Sequence, residues 1–195
     1  MNKKDLILDT MLDLLSEKKG ESCSVNDIAK RAGIAKGGLY YYFKSKEEVF
    51  DALVERTYQD IIDECKDIAS SGGENAIEKL KHLYIHYRRS IVSSDLDTYL
   101  HNPQNAGIHQ KSLAKILTSL SPIVAQIIKE GNREGVFHCA CPLELSEIII
   151  SSFCFLLDPG IFRWTPEQSR KKLEVLACML EKGLEIPVGS IDFFV

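Results

Sequence analysis

Residues 34–46 read IAKGGLYYYFKSK and combine three kinds of group that bind phosphate. Lysine ammonium groups attract its charge, tyrosine hydroxyls donate hydrogen bonds to its oxygens, and glycines let it approach backbone N–H groups. Glycine costs roughly 1 kcal/mol relative to alanine inside a helix. Two adjacent glycines and three consecutive tyrosines therefore indicate a helix that contacts something outside its own core.

The charge distribution around this stretch favours an anionic partner. Between residues 28 and 46 there are five basic side chains and no acidic one, although the whole chain carries a formal net charge of −4. Because salt screens distant charges, a local basic patch attracts phosphate even on an acidic protein. The alternative interpretation is a solvated, lysine-rich face without a partner.

Helical spacing of apolar residues dominates the sequence, which contains no convincing strand pattern. Ser24, followed three positions later by Asp27, is typical of a capped helix start, and Gly33 suits the left-handed residue at that helix's end. A third helix is expected from Lys36, and Ser45 is predicted to cap a fourth. After the break SSGG at residues 70–73, the helical patterns continue.

Two short helices joined by a tight turn at Gly33 predict a helix-turn-helix, whose second helix usually enters the DNA major groove. On a helical wheel, Leu39 and Phe43 face the core. The opposite face offers bare backbone, aromatic hydroxyls and a lysine, which suit a DNA backbone. That face consists of Gly37, Gly38, Tyr40, Tyr41 and Lys44, and Tyr42 lies at its edge.

Residues 24–53, SVNDIAKRAGIAKGGLYYYFKSKEEVFDAL, closely resemble the DNA-binding domain of TetR (tetracycline repressor) family transcriptional regulators. The resemblance implies an all-α fold of about nine helices. It implies a three-helix, helix-turn-helix DNA-binding domain at residues 1–46 and a larger helical effector-binding and dimerisation domain at residues 47–195. In this family repression is the commoner mode of action.

The family pattern implies which residues contact DNA. Ser24 would bind phosphate at the start of the second helix, Tyr40 would contact the backbone, and Tyr41 would contact backbone or base. At position 38 the family often has a threonine, a serine or another small side chain that can touch a base, so the glycine here implies fewer direct contacts to base edges. The complete predicted set is Ser24, Lys36, Gly37, Gly38, Tyr40, Tyr41, Tyr42, Lys44 and Lys46.

Apolar residues of the helical segment at about residues 142–157 cover more than one side of that helix, whereas those of the last segment, at about residues 166–185, form a narrow stripe beside charged residues. A helix that is apolar on two sides needs a second partner, and pairing with the same helices of another copy would supply one. We therefore predict a homodimer. The alternative is an ordinary monomer core. The predicted interface residues are Ile149, Phe153, Leu156, Leu173, Leu176 and Leu180.

A small, largely apolar effector is expected to bind among aromatic residues of the larger domain. We predict that Tyr84, Tyr87, Tyr99 and Phe153 line its pocket. Aromatic residues at helical spacing are more often part of a core, so this interpretation stays open at the level of sequence.

The sequence HCAC at residues 138–141 is the one tempting cluster of metal or redox ligands. Closed zinc sites usually show a two-residue gap between cysteines and a second ligand pair, and both are missing here. We expect no metal and no cofactor. Two alternatives to effector control remain: a thiol- or metal-responsive regulator that uses Cys139 and Cys141, and a constitutive DNA binder without an effector.

The remaining function classes are disfavoured. The sequence contains no phosphate-binding glycine loop, no HExxH and no nucleophile elbow, so we do not expect an enzyme. No apolar stretch is long enough for a membrane span, and the first residues lack a signal-peptide core. We expect a cytoplasmic regulator whose partners are double-stranded operator DNA, an unidentified small-molecule effector and a second copy of the chain, without a membrane.

Overall fold

The computed structural model describes residues 2–17, 23–92 and 95–195, and every regular element within these ranges is helical. This confirms the all-α prediction and its approximate number of helices. A π-helical turn, Ser152–Leu156, follows the eighth α-helix, and two short 3-10 turns cover Pro103–Asn105 and Asp192–Phe194. The α-helices of the described ranges are α1 (Lys3–Ser16), α2 (Val25–Arg31), α3 (Lys36–Tyr42), α4 (Lys46–Ser70), α5 (Ala76–Val92), α6 (Asp95–Leu100), α7 (Ala106–Glu134), α8 (Pro142–Ser151) and α9 (Pro166–Leu184).

The chain forms two compact units. The first unit comprises Met1–Asp60 and Ser93–Ser112, and the second comprises Ile61–Val92 and Leu113–Val195. The first unit thus joins α6 and the start of α7 to the N-terminal helices, and α4 contributes residues to both units. The predicted boundary after residue 46 separates DNA-binding residues from effector-binding residues and is not a boundary between compact units. It stays a prediction.

Local signals in the sequence set the helix ends of the first unit. Ser24 Oγ accepts a hydrogen bond from Asp27 N at 3.2 Å, and the Asp27 carboxylate accepts one from Ser24 N at 2.8 Å. Gly33 has a φ of +65°, which a residue with a Cβ adopts at a cost, and it separates α2 from α3. Ser45 Oγ accepts from Glu48 N at 3.2 Å at the start of α4.

The core of the first unit brings α1, α2 and α3 together with the beginning of α4 and with α6. The Phe50 and Tyr99 rings stack with their centroids 3.8 Å apart, and both side chains are buried. The other large, fully buried side chains of this unit include Ile7, Met11, Ile28, Leu39, Leu53, Leu96 and Leu100.

The second unit packs α5, α7, α8 and α9 with the last residues of α4. A Cβ at Gly131 would lie 2.1 Å from the ring of the buried Phe137, so any other residue at this position on α7 would force that ring to move. The buried Lys79 ammonium contacts both oxygens of the Glu130 carboxylate at 2.7 and 2.9 Å and the Ala69 carbonyl oxygen at 3.3 Å. These contacts fix α5 against α7 and the end of α4.

Among the helices of the described ranges, none contains a segment of the length and apolar character that crossing a membrane requires.

Candidate nucleic-acid interface and apolar cavity

The α3 helix of the first unit separates its apolar and exposed residues sharply. Leu39 and Phe43 are buried, as the helical wheel predicted. Tyr41 is 82% exposed, and Tyr40 and Tyr42 are also exposed. The Tyr41 and Tyr42 rings contact each other edge to face at 5.0 Å. The structure therefore presents a row of tyrosines at the surface instead of packing them into the core.

Gly37 and Gly38 have no structural need to be glycine. Neither has a positive φ, and a Cβ built on either residue would meet nothing within 4 Å. Glycine lowers helix stability, so these two residues weaken α3, and no contact among the described residues compensates for that loss. The open space beside them leaves the backbone accessible to a partner from outside.

The basic residues around α3 differ in how accessible they are. Lys36 and Lys44 are exposed, and Lys36 Nζ lies 5.9 Å from the centre of the Tyr40 ring. Lys46 is half-buried, with Nζ 5.7 Å from the centre of the Phe50 ring. Arg31 forms an ion pair with Glu17, so it adds less positive potential around α3 than the count of basic residues in the sequence suggests.

Ser24 is exposed, but its hydroxyl already has partners. The hydroxyl donates to Asp27 Oδ2 at 2.6 Å while it accepts from the Asp27 backbone N–H. The hydrogen bonds that the Ser24 hydroxyl and the Ser24 backbone N–H donate to the Asp27 carboxylate hold its pKa below the usual value. A phosphate contact by Ser24 would require its hydroxyl to leave Asp27, a constraint that the family pattern does not indicate.

An apolar cavity of about 70 Å³ lies inside the second unit. Three of the four residues predicted for the effector pocket, Tyr84, Tyr87 and Phe153, line this cavity. Tyr99 does not join them, because it stacks on Phe50 in the first unit. The other lining residues are Leu80, Leu83, Leu120, Val124, Ile128, Ser146, Ile149, Ile150, Cys154, Leu180, Phe193 and Phe194.

The π-helical turn Ser152–Leu156 forms part of the cavity wall. Such turns are rare and frequently occur at functional sites. This one places the consecutive residues Phe153 and Cys154 against the cavity. Burial, aided by the Asp158 carboxylate, raises the pKa of the Cys154 thiol to about 12, with an opposing effect from its hydrogen bond to Tyr87.

The residues predicted for the dimer interface mostly face inward. Ile149, Leu176 and Leu180 are buried within the second unit, Phe153 and Leu173 are half-buried, and Leu156 is exposed. Because α8 and α9 are apolar on two sides, the sequence could not distinguish the inward side from the outward one. The exposed large apolar residues of α8, the π-helical turn and α9 are Leu143, Ile148, Phe155, Leu156, Val175 and Met179.

The HCAC stretch is anchored to the end of α7. The Asn132 side-chain amide donates to the Cys139 carbonyl oxygen at 2.8 Å, and the Asn132 side-chain oxygen accepts from Cys139 N at 3.0 Å. Burial raises the pKa of the Cys139 thiol above its ordinary value, whereas Cys141 is exposed. A buried thiol with a raised pKa forms little of the reactive thiolate.

Two family models match separate parts of this chain. The model described as "Bacterial regulatory proteins, tetR family" matches residues 7–53. The model described as "Tetracyclin repressor-like, C-terminal domain" matches residues 90–178. Together they cover most of the chain, including α3 and much of the second unit.

Two curated relatives align with most of this chain. The transcriptional repressor KstR2 of Rhodococcus jostii strain RHA1 is 26% identical over 165 residues, covering 81% of this chain and 77% of KstR2. The fatty acid metabolism regulator protein of Bacillus subtilis strain 168 is 26% identical over 198 residues, covering 95% of this chain and 93% of that protein.

Solved structures share the fold. A TetR/AcrR family regulator from Thermobifida fusca superposes with a TM-score of 0.64 at 24% identity, covering 92% of this chain and 97% of its own. The reduced form of E. coli NemR gives a TM-score of 0.64 at 17% identity, covering 96% of this chain and 100% of its own. With α3 exposed after a capped α2 and both family models matched, the chain belongs to the TetR family of DNA-binding transcriptional regulators.

Proposed function

We propose that a homodimer of this chain binds a specific operator through α3, represses transcription there, and leaves the operator when a small, largely apolar effector binds in the second unit. The exposed face of α3 carries this proposal. It combines Tyr41, which is 82% exposed, with two glycines that no contact among the described residues requires. Large aromatic side chains are normally buried, so their exposure beside basic residues favours a macromolecular partner.

The contacts on DNA follow from the chemistry of this face. The Tyr40 hydroxyl donates to phosphate oxygens, the Tyr41 hydroxyl contacts the backbone or a base edge, and lysines such as Lys44 release counterions when they neutralise phosphates. Gly37 and Gly38 allow the DNA to approach the α3 backbone closely. Tyr41 and Tyr42, together with the sequence-dependent shape of DNA, supply the discrimination between sequences.

Dimerisation is expected through the exposed apolar residues of α8 and α9 and of the π-helical turn. Ile148 and Phe155 are spaced seven positions apart, and Val175 and Met179 four positions apart, so each pair repeats at helical spacing. A second copy presenting the same residues would bury them in a four-helix arrangement. We propose this surface in place of the inward-facing residues that the sequence suggested.

Repression is the proposed direction of control. The relative KstR2 is named a transcriptional repressor, and it aligns with 81% of this chain. A repressor that covers its operator needs no activating surface for polymerase, so DNA binding and effector release suffice for its action.

The α4 helix is the proposed connection between effector and DNA. It begins at Lys46, four residues after α3 ends, and its last residues belong to the second unit. An effector that favours a displaced α4 would change the spacing of the two α3 helices in the dimer. A preference of about 100-fold, roughly 2.7 kcal/mol, is enough to shift such an equilibrium substantially.

Selection of genomic fragments by the purified protein tests the proposal. We expect a roughly palindromic motif whose half-sites are separated by about one helical turn, 34–36 Å, or a multiple of it. Tyr41→Ala protein should enrich the motif less strongly than wild type. Selection that enriches no motif would contradict the assignment of a specific regulator.

A further inference from the structure

Residues that follow α9 return to the cavity of the second unit and fill one side of it. Phe194 is buried, and its ring centroid lies 4.6 Å from that of Tyr84 and 5.2 Å from that of Phe153. Phe193 is half-buried, with its ring centroid 6.0 Å from that of Tyr84. Both phenylalanines belong to the short 3-10 turn Asp192–Phe194.

The space that remains beside this turn is too small for an ordinary ligand. The cavity measures about 70 Å³. An engineered cavity of about 150 Å³ holds benzene, and sites for drug-sized molecules span roughly 300–1,000 Å³. A molecule as large as benzene therefore enters only if part of the wall moves away.

The contacts of this segment divide it into a fixed part and a removable part. The buried Glu181 carboxylate accepts hydrogen bonds from Gly189 N at 2.8 Å and from Ile191 N at 2.9 Å. These bonds anchor the chain up to Ile191, which is fully buried. Beyond it, a single 3-10 turn with poor intrinsic stability carries the two phenylalanines. The aromatic packing and one hydrogen bond from Tyr84 hold that turn.

We propose that the turn Asp192–Phe194 occupies the effector site as an internal ligand, and that the effector is a small apolar molecule with one carbonyl-type oxygen that displaces the turn and takes over its contacts. This inference rests on the proposed function, because it concerns the effector site of the same regulator. The turn supplies two ring-sized apolar groups and one backbone carbonyl oxygen to the cavity, and a displacing molecule has to replace both kinds of contact.

Tyr84 explains why the effector needs an oxygen acceptor. Its hydroxyl accepts a hydrogen bond from Arg88 Nη1 at 3.2 Å and donates one to the Phe194 carbonyl oxygen at 3.0 Å. When the turn leaves, this buried hydroxyl loses its acceptor, which is costly in an apolar site. Arg88 has no carboxylate partner within the described ranges, so its positive charge also favours an oxygen acceptor beside Tyr84.

The first experiment measures binding of the apolar fluorescent dye N-phenyl-1-naphthylamine to the full chain. The double variant Phe193→Ala/Phe194→Ala should bind the dye at least about tenfold more tightly than wild type. In wild type the dye binds only those molecules whose site is open, and its apparent affinity falls in proportion to that open fraction. The matched control is Phe162→Ala. It removes an exposed aromatic ring that stacks on Trp164 and is absent from the cavity lining, so dye affinity should stay unchanged.

Hydrogen exchange on the wild-type protein tests displacement without a variant. Dye binding should speed amide exchange of residues 192–195, because the turn is released. Exchange at Ile191 N, which is anchored on Glu181, should change little. Increased protection of residues 192–195 would mean that the turn closes over the ligand, and would overturn the proposal.

A pair of shape-matched compounds tests the acceptor. We expect 4-phenyl-2-butanone to displace the dye at a concentration about fivefold lower than n-butylbenzene, as one net hydrogen bond predicts. Tyr84→Phe should remove this difference. Equal potency of the two compounds on wild type would overturn the predicted effector chemistry.

The outcomes separate this inference from the proposed function. Equal dye affinity of wild type and the double variant, or no dye binding by either protein, overturns the internal ligand while operator selection by α3 is unaffected. Failure of the proposed function would instead appear as the absence of any enriched operator motif, whatever the dye measurements give.

Discussion

Leu39 and Tyr41 lie two positions apart on α3, yet Leu39 is fully buried and Tyr41 is 82% exposed. We expect Leu39→Ala to lower the free energy of unfolding by about 2–5 kcal/mol, because it leaves a cavity in the core. Tyr41→Ala should change that free energy by less than about 0.5 kcal/mol. It should nevertheless weaken operator binding about tenfold, the value of one good hydrogen bond. Urea unfolding and fluorescence anisotropy with the selected operator measure the two effects.

Gly38→Ala should separate stability from DNA binding. The added Cβ meets nothing within 4 Å, so the substitution should raise the free energy of unfolding by up to about 1 kcal/mol. It should also weaken operator binding, because the methyl group occupies space that the DNA approaches. The matched control is Gly107→Ala in α7, which has equally open surroundings and should affect stability alone. Unchanged operator affinity in Gly38→Ala would remove Gly38 from the interface.

Lys46→Ala should reduce the salt dependence of DNA binding. The loss of one phosphate contact lowers the slope of log affinity against log salt concentration by about one unit on any DNA sequence. Lys81, an exposed lysine of α5 in the second unit, is the control, and Lys81→Ala should leave the slope unchanged. Equal slopes for Lys46→Ala and wild type would place Lys46 away from the phosphates.

The local features of the DNA-binding region were predictable because short-range chemistry determines them. Ser24 and Ser45 cap helices through hydrogen bonds to residues three positions away, and Gly33 takes the positive φ that the turn requires. The orientation of Leu39 and Tyr41 follows from helical periodicity alone.

Contacts between distant parts of the chain could not be predicted in the same way. Tyr84 meets Phe194 across 110 positions, and no pattern near either residue signals this contact. The sequence predicts Tyr99 in the effector pocket because it is an aromatic residue on a helix, but its ring stacks on Phe50. The buried Ile149 and the exposed Ile148 are neighbours in one apolar run, so composition gives no indication of which side faces inward.

Lys79→Ala should destabilise the second unit strongly. The substitution leaves the Glu130 carboxylate, whose side chain is 27% exposed, without its partner, so we expect a loss at or below the lower end of the roughly 3–5 kcal/mol that breaking a fully buried ion pair costs. The control is Lys66→Ala, which breaks the exposed pair with Asp63 and should cost less than about 1 kcal/mol. The free energies of unfolding in urea provide the comparison. Similar losses in both variants would argue against a special role of the buried pair.

The cysteines should differ in reactivity with pH. Burial raises the pKa of Cys154 from 9.0 to about 12, so its contribution to stability is complete below pH 9 and is lost as pH rises towards 12. Iodoacetamide at pH 8 should therefore modify exposed Cys141 well before Cys154 or buried Cys139, as mass spectrometry of digested protein would reveal. Faster alkylation of Cys154 would show that its thiol is accessible in solution.

Replacement of Cys139 and Cys141 by serine tests thiol control directly. We expect operator affinity to stay within a few-fold of wild type under both oxidising and reducing conditions, because the Cys139 thiol is buried and its pKa is raised. A large redox- or zinc-dependent change in operator affinity that the double substitution abolishes would support the thiol- or metal-responsive alternative.

Recognition of a specific DNA sequence by α3 is tested most directly by comparing the affinities of two labelled duplexes by fluorescence anisotropy. One duplex carries the selected operator, and the other has the same composition in scrambled order. Wild type should bind the operator about 1,000-fold or more tightly at physiological salt, and Tyr41→Ala should reduce that ratio. Equal affinity for both duplexes over the whole range of salt concentrations would contradict specific recognition of DNA by α3.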